Sequence, residues 1–247
     1  MFPKSTNMKR LLITLFFVLP VTSFAQPPKN GYELIRQMYD ANKSNWYQTL
    51  CFAQEIFYYS NDSLVNTDIM FEAYSSPGNL ILKFTDWDSG NGMLFTGDTL
   101  YSFHKGNLIS SKFRIHDLVV LGLDINNIPP EITASRAELC GYNLGLIGEC
   151  RCMGYNAWVV GDTTTNCFWV DKATLLFIKM RRRTGENSRE VEFAKYERIN
   201  GYPVATVINF YNNEGELSMV EKYFNINPDC DLPSSIYNPL EFKQSRW

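Results

Sequence analysis

The stretch NCFWVDKATLLFIKMRRR, Asn166 to Arg183, decides the architecture. A strand with one wet face alternates apolar and polar residues, but Phe168, Trp169 and Val170 are apolar without a break, and so are Leu175, Leu176, Phe177 and Ile178. Either both faces of these strands are dry or one of them holds something.

Working outward, further strand-like runs precede and follow it. TLCFAQEIFYYS, DIMFEAYSS, NLILKFTDW, GMLFTGDTLYSFHKG and NLISSKFRI run from Thr49, separated by Asn, Asp, Gly and Ser clusters that mark turns. After the opening stretch come REVEFAKYERI, PVATVINFY and SMVEKYFNI, the last two joined by NNEG. Two helical segments break the pattern. Asn30-Gly31-Tyr32-Glu33 reads as a capping box ahead of Tyr32, Ile35, Met38 and Tyr39 at helical spacing. Between Asp117 and Tyr142, Pro129-Pro130 marks a helix start and Gly141 a helix end. The expected fold is mainly β with helices (α+β): one large, strongly curved antiparallel sheet with helices against one face.

Residues 1–25 read as a signal peptide. Lys9 and Arg10 precede the apolar run LLITLFFVLPV, and Ser23-Phe24-Ala25 places small residues where a signal peptidase inspects. Cleavage after Ala25 makes Gln26 the first mature residue and the protein periplasmic. No Cys follows the run closely, which argues against a lipid-anchored N-terminus, and no later segment approaches the roughly 18 apolar residues that span a bilayer. Residues 26–247 carry no linker or composition break and read as a single, monomeric domain. The signal holds three bases and no acid, so its removal takes the formal net charge from −3 to −6. That sign opposes nucleic-acid binding, which depends on neutralising phosphates.

All six cysteines, Cys51, Cys140, Cys150, Cys152, Cys167 and Cys230, follow the signal, and an even count in an exported chain favours disulfides. Six cysteines allow 15 connectivities. Cys150 and Cys152 face the same side of a strand and so should not pair with each other, and no second Cys pair completes a metal site.

No enzyme motif emerges. The chain lacks G-x-S-x-G, H-E-x-x-H and a Gly-rich phosphate loop, and offers only His104 and His116 as imidazoles, both read as solvated strand-end residues. DWDSGNG, Asp86 to Gly92, fails the calcium-loop pattern at its fifth, sixth and twelfth positions, and Asn91-Gly92 reads as a type I′ hairpin turn. Arg181-Arg182-Arg183 alternate in direction and read as a solvated sheet edge. The expectation is therefore a non-enzyme with no cofactor and no metal.

The opening helix, YNAWVVGD followed by NCFWVDKATLLFIKMRRR, REVEFAKYERINGYPVATVINFYNNEGELSMVEKYFNI and the ending SSIYNPLEFKQSRW together resemble the LolA-like family, the periplasmic outer-membrane lipoprotein carriers and their larger exported relatives. The resemblance implies an incomplete antiparallel β-barrel closed by helices, with an apolar concave cavity for a lipid or lipoprotein acyl chain. The helix from Tyr32 and the segment Asp117 to Tyr142 would be its lid. The carriers hold their lid with an arginine, and no residue here is assigned that role. Period-2 reading offers Ile69, Phe71, Leu80, Leu82, Phe84, Phe168, Val170, Leu176 and Ile178 as the ligand lining. The alternative is a structural or protein-interaction module of the envelope whose concave face is filled by its own side chains.

Overall fold

The computed structural model describes residues 26–185 and 187–247, so the expected signal peptide lies outside the described residues. Helix α1 (Gly31–Asn42) starts where Asn30 Oδ1 accepts the Glu33 N–H at 2.9 Å. The Glu33 carboxylate accepts from the Lys29 N–H (2.9 Å), one residue before the donor that a capping box uses.

A six-strand meander follows: β1 (Thr49–Ser60), β2 (Ser63–Ser75), β3 (Asn79–Phe84), β4 (Gly92–Thr96), β5 (Thr99–His104) and β6 (Asn107–Phe113). Helices α2 (Asp117–Gly122) and α3 (Pro130–Leu139) interrupt the sheet. It resumes with β7 (Ile147–Cys152), β8 (Tyr155–Gly161), β9 (Cys167–Asp171), β10 (Phe177–Thr184), β11 (Asn187–Ile199), β12 (Tyr202–Tyr211) and β13 (Leu217–Pro228). The strand order is β6-β5-β4-β3-β2-β1-β13-β12-β11-β10-β9-β8-β7, so the antiparallel pairing of β1 with β13 joins the two meanders. The outermost strands, β6 and β7, do not pair with each other, and the barrel stays open.

Both helix-bearing clusters lie on the concave face. Leu34, Ile35 and Met38 of α1 and Ala134 and Ala137 of α3 join Phe168, Val170, Phe177 and Val191 in one core. Val119 of α2 joins Tyr47, Leu50, Tyr74, Leu80 and Phe95 in a second. Each buried Leu, Ile, Val, Met or Phe among them stabilises the fold by about 1.5–3 kcal/mol. On the convex face the C-terminal segment packs Ile236, Tyr237 and Phe242 over Ala73, Ile81, Leu94 and Phe103. The disulfide Cys51–Cys230 pins that segment beside the start of β1, while Cys140, Cys150, Cys152 and Cys167 remain free thiols.

The unbroken apolar run is dry on both faces. Phe168 and Val170 enter the concave core. Trp169 clusters with Val159, Cys167 and Ile178 on the convex side, where Lys179 Nζ lies 5.5 Å from its ring centroid. Glu190 (2.6 Å) and Glu192 (3.1 Å) hold that ammonium in place.

Two local expectations are corrected. The arginine triplet is not at an edge, because β10 lies between β9 and β11. Arg181 pairs with Glu190, and Arg182 reaches Asp117. Asn91-Gly92 does not form a type I′ turn, which needs positive φ at both central residues; here positive φ falls on Gly90 and Gly92 and not on Asn91. Asp86 organises the loop instead, its Oδ1 accepting the N–H groups of Asp88 (2.7 Å) and Ser89 (2.6 Å). Gly92 is fixed by close approach, since a Cβ there would lie 2.0 Å from the Leu82 carbonyl oxygen.

Candidate functional site: a cavity beneath helix α2

Helix α2 roofs a cavity of about 160 Å³ on the concave face. Leu118, Val119, Gly122 and Leu123 form the roof, and Leu50 and Phe52 of β1, Leu80 and Leu82 of β3, and Val204, Ala205 and Ile208 of β12 form apolar walls. The roof sits low: a Cβ on Gly122 would lie 2.8 Å from the Phe193 ring.

Each end of the roof is tied to the sheet. At its start, His116 Nδ1 accepts the Val119 N–H (3.3 Å), and the ring meets Phe95 edge-on with centroids 4.6 Å apart. Burial lowers the His116 pKa to about 4, leaving a neutral acceptor at pH 7. The residue is thus a packed helix cap and not the solvated histidine that its position suggests, whereas His104 is exposed. Asp117, only 3% exposed, accepts from Arg182 (2.9 Å) on β10 and Arg189 (3.1 Å) on β11. Burial alone would raise its pKa, but the two guanidinium groups outweigh it and hold the carboxyl below its ordinary range. At the far end, Trp46 Nε1–H donates to the Leu123 carbonyl (3.0 Å), and the Tyr74 hydroxyl donates to Asp124 (2.7 Å).

The floor is polar. Glu72 of β2 and Glu221 and Tyr223 of β13 face the cavity. The fully buried Gln54 of β1 donates its Nε2–H to Glu72 (2.9 Å), and the Tyr223 hydroxyl is 3.4 Å from Glu221. Burial, then the neighbouring Glu221, pushes Glu72 well above the carboxylate range; burial raises Glu221 to about 7. For an acid with a raised folded pKa, the fold favours the protonated form, so stability falls as pH rises from the unfolded value of 4.5 and levels off above the folded value. The double variant Glu72→Gln/Glu221→Gln is therefore expected to match wild type below pH 4.5. At pH 8 it should exceed wild type by on the order of 2 kcal/mol, a figure discounted for the partial exposure of Glu221. Urea midpoints at the two pH values check this, and an equal difference at both would contradict it.

The nine residues offered by sequence divide among several places. Leu80 and Leu82 line the cavity. Phe84 shares their parity at the end of β3, half-buried and beyond the lining. Ile69 and Phe71 lie on the opposite face, because Glu72 and Tyr74 are the inward residues of β2; Ile69 is exposed, and Phe71 stacks on Trp87 at 4.5 Å. Phe168 and Val170 face inward but are packed solid among α1 residues. Leu176 packs with Val119 beside the cavity. Ile178 is convex, because the register shift between Phe177 and Lys179 sends both Ile178 and Lys179 outward. Sequence reading missed Glu72, Glu221, Gln54 and the Asp117–Arg182–Arg189 cluster. The one available signal was the acid directly after His116 at a helix start. Among the described residues, no group of three or more His, Cys, Asp or Glu side chains is placed to hold a metal ion.

No protein-family model matches the chain, and no curated relative matches it. Solved structures do. A DUF1329 family protein from Desulfovibrio piger superposes with a TM-score of 0.58 at 16% identity, over 84% of this chain and 95% of that one. A LolA superfamily protein from Nitrosomonas europaea gives 0.56 at 15% identity, over 83% and 97%. A domain described as an outer-membrane lipoprotein-sorting protein from Vibrio parahaemolyticus gives 0.53 at 15% identity, over 86% and 98%. The chain has a LolA-like fold.

Proposed function

We propose that this protein is a non-enzymatic, exported carrier that holds the acyl chain of a lipid or lipoprotein in the cavity beneath α2. The carrying observation is the cavity itself: an apolar-walled space between a sheet and a helix whose polar ties lie at its two ends. The LolA-like fold and the expected signal peptide support the same reading.

Size limits what the closed form holds. A volume of about 160 Å³ is close to that of a cavity of roughly 150 Å³ known to take one benzene, a stretch of about six carbons. At ~0.8 kcal/mol per CH₂, six carbons gain about 5 kcal/mol before the entropy cost of binding. A full acyl chain requires α2 to lift. The small volume and the solid packing around Phe168 favour the competing reading, an interaction module with a self-filled core.

Titration with straight-chain alcohols from butanol to dodecanol separates the two. The carrier reading expects affinity to rise about fourfold per added carbon, and to keep rising past six carbons as the roof lifts. Absence of binding at every length would favour the self-filled module.

A further inference from the structure

We infer that the polar floor of this cavity recognises a primary ammonium group at the inner end of a short apolar chain. The inference rests on the reading that the cavity takes an apolar ligand, and names which chemistry its inner end must carry.

Acceptors outnumber donors on the floor. Directly behind the lining, the fully buried Gln54 donates its Nε2–H to Glu72, and its Oε1 beside that acid has no hydrogen-bond partner. Glu72 and Glu221 bring four carboxyl oxygens to the same place, and the Tyr223 hydroxyl supplies one long bond. With both acids protonated near pH 6, their two protons fill two of these acceptors and leave the others. A buried acceptor without a donor costs about 1–3 kcal/mol. A methyl end laid on this floor would seal those acceptors from water, and a carboxylate would add further acceptors and oppose ionisation of the pair. An ammonium group brings three donors and the opposite charge. The cation lining the cavity, Arg189, is held by Asp117 on the roof side and reaches Glu221 only through its field, the weakest of the influences on that acid, so the floor acids keep their acceptors free for a second cation. The cavity volume suits a chain of about six carbons.

The test compares hexylamine, 1-hexanol and hexanoate, equal in length, by ligand-observed NMR titration of the exported chain. Hexylamine is expected to bind at least about tenfold tighter than 1-hexanol, the least that one charge-assisted hydrogen bond gives, and hexanoate weakest. In Glu72→Gln/Glu221→Gln the amine should fall to the level of the alcohol. Wild type alone supplies a second readout. The cation favours the ionised acid pair, so amine binding near pH 6 should release a proton and alcohol binding none. The groups around the pair are Gln54 behind it, Tyr223 on the floor and Tyr58 further along β1, with the neutral His116 and the paired Arg189 across the cavity. If the alcohol binds and the amine is no tighter, or if the preference survives the double variant, the inference is overturned while the acyl-chain reading stands. If none of the three binds, both fall.

Discussion

Replacing Cys51 and Cys230 together with alanine is expected to lower unfolding stability by about 3–5 kcal/mol, the range for a disulfide that closes a very long loop. The two residues are 179 apart in sequence, so the bond removes conformations from the unfolded chain that no local contact restricts. It also anchors the segment whose Ile236, Tyr237 and Phe242 cover the convex face over β3 to β5. With the bond absent, that segment should detach first. Hydrogen exchange would then rise at Ser234–Tyr237 and in the newly uncovered β3 and β4, ahead of β1 and β13. Denaturant midpoints under oxidising conditions measure the loss, and a change below about 1 kcal/mol would contradict the assignment. Thiol titration of the denatured, unreduced protein should find four of the six cysteines reactive.

The second large effect concerns the start of the roof. Arg182→Ala combined with Arg189→Ala leaves Asp117 buried without a cation, a situation that costs about 3–5 kcal/mol. The pH dependence makes the cause identifiable. In wild type the Asp117 pKa is depressed, so its contribution is complete above the unfolded value of 3.8 and is lost as pH falls through the lower folded value. In the double variant burial, the largest influence, raises the pKa and is opposed only by the neighbouring His116, which is neutral above about pH 4. Stability should then decline as pH rises from 3.8, the reverse of the wild-type trend. Stability measured from pH 3 to 6 checks the sign. Parallel slopes for the two proteins would show that the arginines do not act through Asp117.

The sheet was legible because its signals are local. Alternation, β-branched and aromatic runs and Gly/Asn turns mark nearly every strand, and Pro129-Pro130 marks the start of α3. The lining was less legible because β2 carries apolar residues at both parities. Ile69 and Phe71 look as good as Met70 and Tyr74, and a slip of one residue exchanges the faces. Only tertiary packing, which buries Glu72 and leaves Ile69 exposed, decides between them. Ile178 moved for another local reason, the register shift in β10, which leaves no mark in composition. Glu72, Glu221, Arg182 and Arg189 read from sequence as ordinary solvated positions of alternating strands. Asp117 is far from both arginines in the chain, and the curvature of the sheet brings the three together.

The sharpest measurement is native mass spectrometry of the exported protein, alone and after exposure to phospholipid vesicles, beside Leu82→Arg. Leu82 lines the cavity and stands directly opposite Glu72 across the β2–β3 ladder, so an arginine there pairs with the acid and fills the space. The account predicts wild type with an added mass that yields an acyl-bearing molecule on dissociation, and a folded Leu82→Arg without it. Wild type that emerges at its polypeptide mass alone, before and after the vesicles, would contradict the carrier account.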